Sequence, residues 1–194
     1  MPVHMTMSGF AGVWILRGTG MHSIRRVTIL IMDKATFMAK FGAVVEHSPW
    51  VAEEVFERAA DDVLDDAESL SARFGFVFMN TAPEQQLATL RAHPQLACAL
   101  ATPQDLTSDS ATEQAGAGLD QCSVEEMESF RKLNIAYREK FGFPFIIAVK
   151  GRDRQEILGL FEKRIDNDER LEYQTALVQV CRIVRFRIGE ILNV

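Results

Sequence analysis

The sequence predicts an all-α fold with a single domain. Six or more segments carry helix start or stop signals, and no stretch shows the strict alternation of apolar and polar residues that is typical of a half-buried strand. The sequence contains no internal repeat. With 194 residues, of which 47% are hydrophobic and 25% charged, the chain is long enough and apolar enough to bury one full core.

Two helix starts are predicted in the first third of the chain. Asp33 is placed to cap a helix over DKATFMAKFG, which stops at Gly42. A second helix is predicted over residues 49–60. Ser48 is its expected capping residue, and Pro49 lies in the first turn, where its missing N–H costs nothing.

The helix signal is weakest in residues 61–78, where SLSARFGFVFMN is compatible with a helix end followed by a short apolar strand. Thr81 and Glu84 then have the spacing of a capping box, which predicts a helix over PEQQLATLRA. Because Pro94 disfavours the α conformation at the residue before it, we expect this helix to end at His93.

The C-terminal half contains three further helix signals. The first two are capping boxes in which a Ser or Asp precedes a Glu by three residues. The third is a long run in which apolar residues recur with helical spacing. The predicted helices run from Ser123 to about Lys140, from Asp153 to about Ile165, and from Glu169 to Leu192.

One continuously apolar run, FPFIIAV at residues 143–149, lies between the first two of these helices and is flanked by Gly142 and Gly151. The run is too short to span a membrane and is compatible with a buried strand. In a helical protein it has no partner strands, so we expect its backbone N–H and C=O groups to be free to bind a ligand.

The charge distribution argues against some partners. The formal net charge of −6 disfavours a nucleic-acid or anionic-membrane surface. Residues 56–68 hold six acids and one arginine, which we interpret as a solvated helix face. The alternative is the docking surface of a non-catalytic, all-α interaction module. Cys98, Cys122 and Cys181 have neither disulfide-framework nor metal-site spacing, and they fit a reducing cytoplasm.

The N-terminal residues carry no recognisable targeting signal. Their apolar run GFAGVWIL is too short to cross a bilayer, and the arginines follow it, whereas a signal peptide carries its basic residues first. We therefore expect residues 1–26 to be a poorly ordered extension and residues 27–194 to form the functional domain.

Two residues in the stretch from Arg91 to Asp120 are candidates for acid–base chemistry. His93 stands beside a proline, and imidazole exchanges protons in both directions near neutrality because its unperturbed pKa is about 6.5. Glu113 interrupts a run of small residues. The structural alternatives are a helix-capping histidine and a glutamate in a first helical turn. Our hypothesis is that the imidazole and the carboxylate meet in one pocket.

Arg187 is a third candidate, because it falls inside the apolar stripe of the last predicted helix, about 60° from Val184. A guanidinium in that place must find an anion or cost several kcal/mol of desolvation. One alternative is a purely structural ion pair with an acid of another helix. The other is a binding site, in which the anion is Glu113 or a ligand carboxylate.

Four separated segments stand out together, in the order EHSPWVAE (46–53), HPQLA (93–97), SATEQAGAGL (110–119) and LNIAYREKFGFPFIIAVKGR (133–152). In this order they resemble the 2-oxo-4-hydroxy-4-carboxy-5-ureidoimidazoline (OHCU) decarboxylase family. The similarity extends from about Val27 to the C-terminus. In the first segment we interpret His47 and Trp50 as a packed junction, with a pocket wall as the alternative.

The resemblance implies an OHCU decarboxylase-like fold and the cofactor-independent conversion of OHCU to (S)-allantoin and CO2 in urate degradation. It implies a small-molecule substrate, a reaction that needs no metal, and a homodimer. The cysteines and the net charge, as argued above, predict a cytoplasmic protein that binds neither nucleic acid nor membranes. An enzyme of neighbouring ureide chemistry, a hydrolase or a racemase, is the alternative within the same pathway.

The resemblance also assigns residues. It makes His93 the proton donor, while Glu113 holds or deprotonates the C4 hydroxyl of the substrate. Gln95 departs from the family, which often has Asp there, so the pKa of His93 is open at this stage. The implied substrate-binding residues are Pro94, Ser110, Ala111, Thr112, Glu113, Gln114, Phe145, Ile146, Ile147, Ala148, Val149 and Arg187.

Overall fold

The computed structural model describes residues 32–58, 66–96 and 107–194. Within these ranges the chain forms eight α-helices, one short 3-10 helix and no strand, which confirms the all-α class. The helices are α1 (Lys34–Phe41), α2 (Pro49–Arg58), α3 (Ala67–Met79), α4 (Pro83–Ala92), α5 (Ser108–Gly116), α6 (Val124–Phe141), α7 (Arg154–Arg164) and α8 (Glu169–Leu192), with the 3-10 helix at Leu119–Gln121.

Four sequence predictions fall partly or wholly on residues outside these ranges. They are the N-terminal extension over residues 1–26, the last two residues of the helix predicted over 49–60, the centre of the acidic segment at 59–65, and Cys98. In the described part of the chain, no helix combines the length and the apolar character that crossing a membrane requires.

Most of the predicted caps form. The Asp33 carboxylate accepts a hydrogen bond of 2.7 Å from the Thr36 N–H at the start of α1. At the start of α6 and α7, the side chains of Ser123 and Asp153 each accept from the backbone N–H three residues on, and the glutamate at that position accepts from the cap's own N–H. These capping boxes are the ones predicted, and they fix where both helices begin.

The strand alternative for the segment before Asn80 is wrong, because α3 continues unbroken to Met79. Asp66 and Ser69 form a capping box that the sequence analysis missed. The buried side chains of α3 recur with helical spacing, while Phe76 and Met79 stay exposed on the other face. Burial of one helical face therefore outweighs the β propensity of the aromatic and β-branched residues.

Two predicted caps do not form. At α4 the residue before the helix is Ala82, which makes no side-chain cap, and the Thr81 hydroxyl instead donates to Gln85 Oε1 at 2.6 Å. At α2 the Ser48 hydroxyl lies 2.8 Å from the Thr89 hydroxyl of α4. Ser48 thus precedes its helix as predicted, but its side chain ties α4 to the loop before α2.

The long helix α8 lies at the centre of the fold and packs against α3, α4 and α6. Its buried residues form one stripe, which the 3.6-residue period places on the side facing these helices. Arg187 lies in that stripe and is only 4% exposed. The last helix therefore carries the Arg187 guanidinium into the interior, as its sequence position predicts, and it also buries Glu172 near its start.

Residues 143–149, which we call the apolar strip, follow α6 through Gly142, whose φ of +74° lies in the left-handed region that glycine tolerates best. All of the strip except Pro144 belongs to the buried hydrophobic core, and the strip forms neither helix nor strand. The Phe145 ring stacks on Phe161 of α7, with centroids 3.9 Å apart. The strip thus enters the interior between α7 and α8.

Candidate active site

The segments singled out in the sequence converge on one small cavity of about 30 Å³, which has room for one or two water molecules. His93 and Glu113 both line it, so the imidazole and the carboxylate do face a common space. The other lining residues are Glu46, Pro94, Leu96, Ser110, Gln114, Phe145, Ile146, Ile147, Val149, Ile183 and Arg187.

A larger groove of about 490 Å³ adjoins the cavity. Glu113, Arg187, Val149 and Ile183 line both spaces and therefore form their boundary. Three residues assigned to the substrate by resemblance lie outside the inner cavity. Thr112 and Ala148 line the groove, whereas Ala111 is exposed and lines neither space.

His93 ends α4 with extended backbone dihedrals (φ −66°, ψ 142°), as expected before Pro94. Its Nδ1 lies 3.0 Å from the Thr89 carbonyl oxygen. Because a carbonyl only accepts, Nδ1 carries the proton, and in the neutral ring Nε2 carries the lone pair. Burial lowers the pKa of His93 below its ordinary value, and the Thr89 carbonyl and the nearby Glu46 carboxylate only partly oppose this effect.

Glu113 lies in the second turn of α5, since the helix begins at Ser108, so the reading of a first-turn glutamate is wrong. Both of its carboxylate oxygens bind Arg187. The Nε–Oε1 distance is 2.7 Å and the Nη2–Oε2 distance is 2.9 Å. The Glu113 side chain is 24% exposed, so solvent still reaches one side of this bidentate pair.

Arg187 also binds a second acid, with its Nη2 3.2 Å from Glu46 Oε2. Burial lowers the pKa of the guanidinium, but its hydrogen bonds and ion pairs with Glu113 and Glu46 outweigh burial and raise it. The sequence offered two roles for Arg187, an ion pair with an acid of another helix and a partner for Glu113 in a binding site. These roles coincide, because the acid of the other helix is Glu113 itself.

Glu46 is the site residue that the sequence analysis missed. It is 2% exposed, and its carboxylate accepts hydrogen bonds from the hydroxyls of Thr107 and Ser110, each at 2.5 Å. Burial raises the pKa of this carboxyl, but the two hydroxyls and Arg187 lower it by more, so the net shift is downward. Glu46 follows Val44 and Val45 in an apolar run, and an acid in such a run was the signal available in the sequence.

The neighbouring His47 does not line the inner cavity. Its backbone has a φ of +52°, unusual for a residue other than glycine, and its side chain is exposed. Trp50 is partly buried and packs against the core. The left-handed conformation of His47 occurs between Glu46 and Ser48, which are both buried.

The expectation of free backbone groups in the apolar strip is wrong at three positions. The Val149 carbonyl accepts from a backbone N–H three residues on, and two further groups bind side chains. The Ile146 carbonyl accepts a hydrogen bond of 2.9 Å from Arg164 Nη1, and the Ala148 N–H donates to Gln179 Oε1 at 3.0 Å. Side chains of α7 and α8 thus supply partners that strands would supply in a sheet.

The segment after His93 is held by two buried amides. Gln114 Nε2 donates to the Gln95 carbonyl at 3.3 Å, and Asn134 Nδ2 donates to the Leu96 carbonyl at 3.0 Å. The backbone at Gln95, where the family often has Asp, is therefore anchored through its main-chain oxygen, which is independent of its side chain.

The sequence profile of the OHCU decarboxylase family matches residues 31–189. The chain belongs to this family. An OHCU decarboxylase of Haloferax volcanii is 37% identical over 170 residues, which cover 88% of this chain and 97% of the relative. The uric acid degradation bifunctional protein of Bacillus subtilis is 35% identical over 162 residues, covering 84% of this chain and 31% of that longer protein.

Among solved structures, the OHCU decarboxylase fold described above is similar to a crystal structure of (S)-allantoin synthase. The TM-score is 0.65 at 27% sequence identity, and the superposition covers 82% of this chain and 51% of the other. The helical arrangement in the described part of this decarboxylase-family chain is therefore similar to that of a solved relative.

Proposed function

We propose that the protein is a carboxy-lyase that converts OHCU to (S)-allantoin and CO2 in urate degradation. Membership of the family and the functions of the relatives support this reaction. The observation that carries the proposal is the cavity itself, where a buried imidazole with a free Nε2 lone pair shares one small space with a carboxylate clamped by arginine.

The reaction needs proton transfers but no external electron sink. The bond from C4 to the carboxylate breaks, and its electron pair forms a C4=C5 double bond while the C5=N π pair moves to nitrogen, which takes a proton. The C4 hydroxyl then loses its proton to become a carbonyl, and C5 gains one. The net change is the loss of one CO2 and the uptake of one proton. Because the imine accepts the electrons, a pyridoxal or thiamine group is not required.

His93 is suited to move the proton from the hydroxyl to C5. Its lowered pKa keeps the ring neutral at neutral pH, so Nε2 acts first as a base toward the C4 hydroxyl. The resulting imidazolium is a stronger acid than an exposed one because burial disfavours its charge. It then donates the proton to one face of C5, which sets the S configuration. General acid–base catalysis of this kind contributes roughly 10²–10⁴-fold in rate.

Glu113 and Arg187 are suited to hold the reacting groups in place. Both Glu113 oxygens already accept from Arg187, so its carboxylate fits the holding role toward the C4 hydroxyl better than the role of base. Among the described residues that line the inner cavity, Arg187 is the one arginine or lysine, so its guanidinium is suited to bind a substrate carboxylate there. Each oxygen of Glu113 retains a second lone pair for the hydroxyl.

The substrate is larger than the inner cavity. A space of about 30 Å³ does not hold a five-membered ring with its ureido group, whereas the adjoining groove of about 490 Å³ does. We place the reacting C4 and C5 atoms beside His93 and the ureido tail in the groove. Glu113 and Arg187, at the boundary, must then shift when the substrate binds.

The setting of the enzyme is also part of the proposal. We propose a homodimer, which the resemblance implies, and a location in the cytoplasm, which the spacing of the three cysteines favours. The net charge of −6 supports a small-molecule partner rather than nucleic acid or an anionic membrane.

The test is to generate OHCU from urate with the upstream enzymes and to follow optical activity after the protein is added. A decarboxylase accelerates the appearance of (S)-allantoin. A hydrolase that acts upstream shortens the life of the earlier intermediate and leaves this step unchanged, and a non-catalytic interaction module changes neither step.

A further inference from the structure

The apolar strip is held from the side of α7 and α8 by two buried polar side chains that do not line the inner cavity. Arg164 Nη1 donates to the Ile146 carbonyl at 2.9 Å, and Gln179 Oε1 accepts from the Ala148 N–H at 3.0 Å. Both side chains are about 8% exposed. Burial at this level leaves little water to compete for either hydrogen bond.

These two bonds fix the peptide groups on both sides of Ile147. The peptide bond is planar, and none in the described residues is cis. In a trans peptide the C=O and the N–H point in opposite directions. Because the Ile146 carbonyl points at Arg164, the Ile147 N–H points away from it. Because the Ala148 N–H points at Gln179, the Ile147 carbonyl points away from that side chain.

Ile147 lines the inner cavity, and among the described residues neither its N–H nor its C=O has a hydrogen-bond partner. One donor and one acceptor on the same residue match an amide or ureido edge, which offers one of each. The direction of this pair depends on Arg164 and Gln179, since among the described residues no other group binds the two flanking peptides.

Arg164 is itself held firmly. Its Nε and Nη2 bind the fully buried Glu172 at 3.0 and 2.5 Å, and its guanidinium lies 4.4 Å from the centre of the Phe145 ring. Glu172 also accepts from the hydroxyl of Tyr137 and from Asn167 Nδ2. A guanidinium fixed on three sides positions its remaining N–H more precisely than a free one.

We propose that Arg164 and Gln179 are positioning residues that orient the Ile147 backbone donor and acceptor toward the substrate's amide or ureido group. This inference rests on the proposed decarboxylase function. It predicts that removing either clamp weakens binding and stereocontrol, although neither side chain touches the substrate. Misplacement of a recognition group by about 1 Å costs on the order of 10²-fold in rate.

The test uses Gln179→Met, which keeps the length of the side chain and removes the acceptor. We expect kcat/KM for OHCU to fall by roughly 10–10²-fold, mainly through a higher KM, and the enantiomeric excess of allantoin to fall. Gln179→Glu keeps an oxygen in the same place and should restore more than half of the lost activity on a logarithmic scale. Arg164→Lys keeps the charge beside Glu172 but loses the fork, so it should act in the same direction as Gln179→Met.

Gln86→Met is the matched control. Gln86 is also a buried glutamine, 6% exposed, and its amide binds the carbonyls of Phe78 and Met79. It lines neither the cavity nor the groove. Its loss should lower the melting temperature and leave KM and enantiomeric excess unchanged below that temperature.

Amide hydrogen exchange of the strip separates this inference from the proposed function, because it needs no turnover. Exchange at Ala148 should be roughly tenfold faster in Gln179→Met than in the wild type or Gln86→Met. Three results would overturn the inference: unchanged exchange, a kcat/KM of Gln179→Met within twofold of wild type, or an equal KM effect in Gln86→Met. A wild-type protein that does not accelerate (S)-allantoin formation would overturn the proposed function, whatever the exchange data show.

Discussion

Replacement of Arg187 by Met should destabilise the protein strongly, because it leaves Glu46 charged in the interior. The side chains of this pair are 4% and 1% exposed, so neither can be rehydrated without opening the core. Breaking a buried pair by removal of one partner costs about 3–5 kcal/mol. At about 2–4 °C per kcal/mol for a chain of this length, the melting temperature should fall by roughly 6–20 °C.

Most of the stability lost in Arg187→Met should come from the unpaired Glu46. Glu113 should contribute less, because its side chain is 24% exposed and can be hydrated. The double variant Arg187→Met/Glu46→Gln removes the stranded charge while the amide can still bond the hydroxyls of Thr107 and Ser110. We expect it to regain about 1–3 kcal/mol relative to the single variant. The measurement is urea unfolding followed by circular dichroism at pH 7.

Urea unfolding at lower pH tests whether the contribution of Glu46 to stability changes with pH in the expected direction. In the wild type the pKa of Glu46 is lowered, so its contribution to stability is present above its unfolded pKa and is lost as pH falls through the folded pKa. Without Arg187, one of the groups that lower this pKa is lost, so the pKa is higher in the variant than in the wild type. The difference in stability between wild type and variant should therefore shrink on acidification. The exposed Arg131 supplies the control variant, Arg131→Met. A loss below about 1 kcal/mol, or a further loss on adding Glu46→Gln, would refute the reasoning.

Two further predictions concern the chemistry. The first concerns His93, which is neutral when it acts as the base and whose pKa burial lowers below 6.5. We expect kcat/KM to be constant near neutral pH and to fall as the pH drops through that lowered pKa. An increase in kcat/KM when the pH is lowered from 7 to 5 would contradict this. The second is that Glu113→Gln should reduce kcat/KM by about 10²-fold. Its melting temperature should change little, because Arg187 keeps Glu46 as a partner. Full activity in this variant would exclude a role for the Glu113 charge.

Much of the helical frame was predictable because its signals are local. Asp33, Ser123 and Asp153 each cap a helix through atoms within three residues, so sequence spacing contains the whole interaction. The cap at Thr81 fails because its hydroxyl binds Gln85, four residues on, whereas the cap at Ser48 fails because of a distant partner. The Ser48 hydroxyl finds a partner 41 residues away in Thr89, and such competition is invisible in the local sequence.

The site was predictable where the sequence places a charged residue at a position expected to be buried. Arg187 in an apolar stripe demanded an anion, and the structure supplies Glu113. The same demand did not identify Glu46, because the number of acids around one guanidinium depends on how the loop before α2 folds back. Gln179 and Arg164 were missed for a related reason, since their partners are backbone groups of the strip, which have no side-chain signature.

The central claim is that His93 transfers the proton in the cavity it shares with Glu113. It is tested most directly by a time course of optical activity during OHCU decay with wild-type protein and with His93→Ala, after matching thermal unfolding shows that both are folded. We predict rapid formation of (S)-allantoin with the wild type, and with the variant only the slow, unselective decay seen without protein. Enantioselective turnover by a folded His93→Ala protein at the wild-type rate would contradict it.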